Sequence, residues 1–444
     1  MPQTAEVSCG GEHTLFLTAA GKLLSAGACG LGWRGSLPDA QVQATLDRRA
    51  SPCAVAGYFR RLAGGAVAEA VALPPIEKAV GGYYHNLAIS RSGQLYSWGC
   101  GNFDGENDGQ LGLGGREDLT SAHEVKLPGL QAGEVPRDAA TGCYHSAVLT
   151  SAGRVFTFGL NNYGQLGRAG VPAGAAVPRS PEAGSTDYSD GTPQLLEVPA
   201  AAAAAAAKIS AIGAGFYNVY LLSCGRPGVL CAGSNAAGQC GTADATASRP
   251  GPIPELAGQA LAQVTGGYCH TLALAKASGQ VFSLGCGEDG QRGDLRPVDD
   301  DDDDDDDDGP DNADRAAAPE FVPSVITAVA LPGAASAVAA GANHSLALAA
   351  DGSAVWGWGS NEHGQLGVSV AADKLSQPTR LALPAGVVAI SAGYAHTAVR
   401  MDDGRVLTWG AGSNGQLGHG TEAVDSAVPA AADIAGAGHQ ACGH

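Results

Sequence analysis

The chain has few basic residues and gathers none of them. Its 444 residues include 25 Lys and Arg, and no basic cluster exceeds the doublets Arg48-Arg49 and Arg60-Arg61. A nucleic-acid surface needs a basic stripe to release counterions, so direct nucleic-acid binding is not expected. Long apolar runs are also missing. The longest, Ala200 to Ala207, is too short and too weakly apolar to span a bilayer, so no membrane partner is expected. Residues 1–11 show neither a basic start nor an apolar stretch of secretory length. The 11 cysteines never form Cys-x-x-Cys, and with no leader their odd number suggests reduced thiols in a cytoplasmic, or nuclear, protein. No Gly-x-Ser-x-Gly elbow and no paired-His zinc signature occurs. Acids near turns, such as Asp104, Glu106 and Asp108, have no spacing that singles out a general acid and base. No catalytic residue, cofactor or metal site is expected.

Glycine and negative charge are what the chain has in excess. The 66 glycines have no three-residue period, which excludes collagen and fits many tight turns. Formal net charge is −19, and Asp299 to Asp308 supplies ten of the negatives; without that run the balance is still −9. Ten adjacent like charges repel and cannot pack, which predicts a solvated, low-complexity acidic loop. Either it is a tolerated expansion or it docks a basic partner.

Much of the glycine falls in a repeat. Six stretches end in one turn: Gly109-Gln110-Leu111-Gly112, and its equivalents beginning at Gly164, Gly238, Gly290, Gly364 and Gly415. Each follows a Gly-x-x-His motif by about 20 to 25 residues, and a weaker copy, Gly32 to Gly35, follows Gly10 to His13. The Gly-x-x-His starts are Gly10, Gly82, Gly142, Gly215 (with Asn218 for His), Gly267, Gly341, Gly393 and Gly436. Within a unit, Val338 to Gly341, Ser345 to Leu348 and Val355 to Trp358 read as short strands, with a turn at Asp351-Gly352. Pro378 to Leu381 reads as an outer strand, where proline is tolerated. Four short antiparallel strands make one propeller blade, too thin to bury its faces alone. Small residues such as Ala347 and Ala398 are expected near the axis.

The reading is therefore all-β: one seven-bladed propeller of four-stranded antiparallel blades over 5–444, a monomer interrupted by insertions at about 36–76, 168–207 and 294–322. Closure is expected from strands of both chain ends paired in one sheet. That leaves Val7 to His13 and Ile434 to His439 competing for one place.

The blocks Gly267-Tyr268-Cys269-His270-Thr271 with Leu284-Gly285 and Gly290-Gln291, and Gly393-Tyr394-Ala395-His396-Thr397 with Trp409-Gly410 and Gly415 to Gly418, resemble the regulator of chromosome condensation repeat family. The resemblance covers essentially the whole chain outside the insertions and implies a seven-bladed propeller. It leaves function open, because that family includes the exchange factor for the GTPase Ran, a plant UV-B receptor and many interaction scaffolds. Two readings follow: a non-catalytic, regulatory platform whose rim loops bind a protein partner, or a guanine-nucleotide exchange factor for a small GTPase. A UV-B receptor is disfavoured. Its Gly-Trp-Arg-His-Thr blocks are replaced here by Tyr268 and Cys269, Ala342 and Asn343, and Tyr394 and Ala395, and four of the five tryptophans fall on third strands.

The repeated His13, His85, His145, His270, His344 and His396, with His439 beyond, stand 43 or more residues apart at equivalent places. Symmetry spreads them round a ring instead of gathering them about one ion. They are read as structural, bonding backbone groups at blade turns, with Gly109, Gly164, Gly238, Gly290, Gly364 and Gly415 as turn residues. The Gly-x-Gly-x-x-Gly matches at Gly285 and Gly410 precede no helix and are read as turns.

Overall fold

The computed structural model describes residues 4–27, 53–54, 73–101, 109–115, 118–168, 189–198, 208–242, 246–294, 326–368, 372–419 and 424–432. These form seven separate four-stranded antiparallel sheets, each built from consecutive strands. In blade 6 the strands are Ala335–Ala340, His344–Ala349, Val355–Ser360 and Lys374–Arg380. The outer strand carries Pro378, as an edge allows. Blades 1 to 7 begin at Thr4, Ile76, Pro136, Ile209, Leu261, Ala335 and Val387. One 3-10 turn, Pro254–Leu256, is the sole helical element among the described residues.

The apolar core is divided into seven layers, one in each gap between neighbouring blades. Leu272, Leu274 and Val281 of blade 5 meet Ala335, Val338, Ala347 and Trp358 of blade 6. Leu346, Leu348 and Val355 on the opposite face of blade 6 meet Val387, Val399, Met401 and Trp409 of blade 7. The second strands therefore bury both faces, and strict period-two alternation sends neighbouring residues into different gaps. Trp98, Trp358 and Trp409 are fully buried third-strand side chains, each contributing about 2–3 kcal/mol of burial. Ala347 and Ala398 lie on second strands between blades, so the small residues that permit close approach at the axis are others. Gly10, Gly82, Gly142, Gly215 and Gly341 line an axial cavity of about 150 Å³.

Closure also differs from expectation. Thr4–Cys9 is the first strand of blade 1, and blade 7 is complete from its own chain segment. The ring shuts by face packing: Val7, Phe16 and Leu24 of blade 1 against Ala398, Val406 and Ala432 of blade 7. The backbone N–H of Cys9 donates to Ser391 Oγ at 2.9 Å across this junction. Ile434 to His439 lies outside the described residues, as do Gly32 to Gly35, Asp104 to Asp108 and the acidic run.

Two of the compositional insertions overlap folded strands. Asp190–Leu195 is the outer strand of blade 3 and Cys53–Ala54 that of blade 1. Neither segment has the apolar alternation that marks an inner strand; Asp190–Leu195, at the edge of its blade, buries only one of its six residues. The expectation of reduced thiols also meets an exception. Disulfides join Cys231 to Cys240 and Cys269 to Cys286, whose Cα atoms are 5.5 and 5.6 Å apart, within bridging range.

The first glycine of four of the repeated turns has a second task besides its backbone angle. Gly364 has φ +72°, and a Cβ there would lie 2.5 Å from Cβ of Ala427 on the outer strand of blade 7. Gly109, Gly164 and Gly290 are seated in the same way against Gly191, Ser248 and Ser376 of the following blade. Gly114 shares the left-handed conformation, at φ +74°, but would meet nothing within 4 Å. Gly114→Ala is therefore expected to cost about 1 kcal/mol, and Gly364→Ala a further ~1–3 kcal/mol through overlap. Denaturant unfolding of the two variants checks the difference; equal losses would contradict the seating.

Candidate functional site

In each blade the first and second strands are joined by a Gly-x-x-His loop (Gly-x-x-Asn in blade 4), and in blades 2 to 7 the third and outer strands are joined through the Gly-Gln turn. Antiparallel order puts both connections at the same end of the molecule. The histidines there are all buried. Their Nε2 atoms reach the next blade: His13 to Asn86 Oδ1 (2.6 Å), His85 to Ser146 Oγ (2.8 Å), His270 to Ser345 Oγ (3.0 Å), His344 to Thr397 Oγ1 (3.1 Å) and His396 to Thr14 Oγ1 (2.9 Å). Only His145 uses a backbone partner, Asn218 O at 3.1 Å. The imidazoles thus tie blades together instead of bracing their own turns.

The missed signal is the Ser or Thr that follows every one of these histidines except His85, which is followed by Asn86. Its hydroxyl also donates backwards, to the Gln carbonyl of the preceding blade's turn: Thr397 Oγ1 to Gln365 O (2.7 Å), Ser345 Oγ to Gln291 O (2.8 Å), Thr14 Oγ1 to Gln416 O (2.8 Å) and Ser146 Oγ to Gln110 O (2.9 Å). Trp358 Nε1 and Trp409 Nε1 donate to the same Gln291 and Gln365 carbonyls. A hydroxyl has one proton. Since that proton goes to the Gln carbonyl, the hydroxyl must accept from the imidazole, which fixes the Nε2–H tautomer.

Blade 4 departs from the pattern at both positions, with Asn218 for His and Val219 for the hydroxyl residue. Tyr220 substitutes: its OH donates at 2.7 Å to Thr271 Oγ1, which itself donates to Gln239 O. The ring of seven side-chain ties is therefore complete. Blade 4 also replaces an internal tie. In blades 2, 3, 5 and 7 a third-strand hydroxyl donates to the turn, as Ser97 does to Leu111 O and Thr157 to Leu166 O. At the matching positions blade 4 has the Cys231–Cys240 disulfide.

Toward the axis, backbone hydrogen bonds join every loop to the next: Gly11 N to Gly82 O, Tyr83 N to Gly142 O, Cys143 N to Phe216 O, Phe216 N to Gly267 O, Tyr268 N to Ala342 O, Ala342 N to Tyr394 O and Tyr394 N to Gly11 O. With that backbone held, the x positions present aromatic side chains. Phe216 lies between Tyr268 and Tyr394, with ring centroids 5.6 and 6.1 Å away, and Tyr83 packs edge-on at 5.4 Å. Tyr84 stacks on Tyr144 at 5.5 Å, and Tyr217 contacts Tyr163 and Tyr268. Most of these rings are covered, but Tyr268 and Tyr394 are 40% and 38% exposed. Burial raises the pKa of Tyr394, with Tyr268, Cys143, Glu362 and Asp289 adding to the rise. Burial likewise raises Glu12.

Among the described residues no group of three or more His, Cys, Asp and Glu is arranged to hold a metal. The segments after Gly285 and Gly410 run into turns, so no helix N-terminus meets them. No helix of the described residues is long and apolar enough to cross a membrane.

Two outcomes follow from the ties. Burial lowers the histidine pKa values to about 4 for His13, His145 and His344 and about 3 for His85, His270 and His396. Between those values and the unfolded value near 6.5, only the unfolded chain takes up protons. Their contribution is thus full above pH 6.5 and lost as pH falls. Near pH 5.5 six such groups give a slope on the order of 7 kcal/mol per pH unit. Unfolding midpoints are expected to be level above pH 7 and to drop steeply below pH 6.5; a flat profile to pH 5 would contradict the burial. Thr397→Val strands His344 Nε2–H, while the Gln365 carbonyl keeps its Trp409 Nε1 donor, so a loss of about 1–3 kcal/mol is expected in denaturant titration.

The chain matches the family model described as RCC1-like domain over residues 104–444, and the regulator of chromosome condensation (RCC1) repeat over residues 76–106. It is 30% identical to the ultraviolet-B receptor UVR8 of Arabidopsis thaliana over 352 residues, covering 78% of this chain and 67% of the receptor. It is also 30% identical to the secretion-regulating guanine nucleotide exchange factor of Bos taurus, covering 76% of this chain and 63% of that protein. It thus spans about two thirds of these relatives. In fold it is similar to Prp20p of Saccharomyces cerevisiae, with TM-score 0.65, 20% identity and coverage of 97% of this chain and 86% of that one. By these matches and its seven-bladed architecture, the chain belongs to the RCC1-like family of propeller proteins.

Proposed function

We propose that this protein is a non-catalytic interaction propeller acting as a single unit over 5–444, with 36–76, 168–207 and 294–322 as insertions in its connections. Its Gly-x-x-His end binds a protein partner in a regulatory role, the protein itself being a monomer of the cytoplasm or nucleus. The repeated histidines and turn glycines serve the architecture that holds this end rigid. One observation carries the reading: exposed Tyr268 and Tyr394 stand on a backbone ring locked between all seven blades. Rigid exposed aromatics give contact area at little entropic cost, and Tyr is enriched at the centres of protein interfaces.

A second reading is guanine-nucleotide exchange on a small GTPase. It is supported by the bovine exchange factor's similarity and by carboxylates at the same end, which suit competition at phosphate and Mg²⁺ sites. Photoreception finds less support. At the loop positions Tyr268, Ala342 and Tyr394 there is no tryptophan, and Trp98, Trp358 and Trp409 are enclosed between blades.

The test is nucleotide release from candidate GTPases loaded with fluorescent GDP. Stoichiometric binding without acceleration is expected of a platform. Catalytic acceleration would replace that reading with an exchange factor. A UV-B-dependent dimer-to-monomer shift on gel filtration would instead revive the photoreceptor.

A further inference from the structure

The two ends of the propeller differ in charge. Among the described residues, the loops at the Gly-x-x-His end carry eight carboxylates, Glu12, Glu288, Asp289 and Glu362 among them, against Arg168 and Arg292. Both arginines are occupied, by Asp190 and Asp294 at 2.7 Å. The connections at the opposite end carry eight Lys and Arg against six acids. The negative field and the exposed aromatic rings therefore coincide at one end. An acidic surface with bared ring faces suits a cation, since a ring quadrupole and nearby carboxylates attract the same charge.

We propose that the axial Phe216–Tyr268–Tyr394 platform, rimmed by Glu288, Asp289 and Glu362, is the docking surface for a basic segment of a protein partner, with an arginine or lysine side chain against the exposed tyrosine rings. This rests on the platform reading above and specifies its partner's chemistry. Burial is the main cause of the raised Tyr394 pKa, and the charges of Glu362 and Asp289 add to it, so the negative field of the rim extends to this ring. Phe216 supports both exposed rings from between them. A guanidinium suits the arrangement best, because it stacks on rings and also donates to carboxylates.

The ten aspartates from Asp299 to Asp308 belong to the connection between the third and outer strands of blade 5, and they offer a rival basis for the same attraction. The experiment therefore separates them. A short fluorescein-labelled peptide rich in arginine and lysine is titrated in fluorescence anisotropy against the full chain. The comparison proteins are Tyr268→Ala/Tyr394→Ala, Tyr268→Phe/Tyr394→Phe, Glu288→Gln/Glu362→Gln and a chain lacking only residues 299–308. Binding of the basic peptide, weakened roughly tenfold by the double alanine change, is expected. The phenylalanine pair should retain it, which also shows that the fold is intact, and the glutamine pair should reduce it and flatten its salt dependence. The chain lacking 299–308 should still show the tyrosine effect. Binding indifferent to the tyrosines, binding abolished by the 299–308 deletion, or no binding of the peptide would each overturn the proposal. If a GTPase or other protein still binds stoichiometrically in that last case, the platform reading survives and only its cationic partner fails.

Discussion

A buried side-chain hydrogen bond ties each blade to its neighbour, and the propeller depends on it; at four of the seven junctions the tie has three members, imidazole to hydroxyl to glutamine carbonyl. A four-stranded sheet whose strands are at most seven residues long has too little area to stand alone, so its stability comes from the gaps. Apolar layers fill those gaps without fixing the distance or angle between blades. The tie adds direction: Thr397 accepts from His344 and donates to Gln365, so both blade 6 elements and blade 7 must be in register at once. Because the groups are fully buried, breaking one tie leaves a polar group such as the imidazole Nε2–H uncompensated, and that cost helps a repeat of separate sheets behave as one body.

Blade 4 shows that the requirement is for the tie and not for a residue. Without a histidine or a hydroxyl at its repeat positions, it delivers a proton to Thr271 from Tyr220, two residues further along the strand. Period-two alternation keeps Tyr220 on the same face as Asn218, so the phenol can span the same gap. In the same blade the hydroxyl-to-carbonyl link inside the sheet gives way to Cys231–Cys240. Both substitutions conserve the connection and change its chemistry.

Rigidity at the axis has a consequence for recognition. Seven backbone hydrogen bonds fix the Gly-x-x-His loops, so the intervening side chains vary without moving the frame. Glu12, Tyr84, Tyr144 and Tyr217 occupy one of these positions on blades 1 to 4, and Tyr83, Phe216, Tyr268 and Tyr394 another. The family scaffold is thereby separated from the specificity it displays. The asymmetry of charge between the two ends follows from the same topology, since alternate connections are sorted to opposite ends whatever residues they contain.

The sequence by itself determined the fold, because the paired Gly-x-x-His and Gly-Gln motifs recur with strands of opposite direction between them, and spacing is a local property. It also identified His13 through His396 and Gly109 through Gly415 as repeat positions. Their partners were not legible: Ser345 and His270 are 75 residues apart, and nothing local marks the hydroxyl after a histidine such as His344 or His396 as the group that accepts from one blade and donates to another. The outer strand Asp190–Leu195 was hidden for the same reason that it is weakly packed. Only the tertiary structure decided that the ends close face to face instead of sharing a sheet, and that scattered loop tyrosines meet at the axis. Those outcomes depend on which side chains converge when seven thin sheets are forced to bury each other's faces.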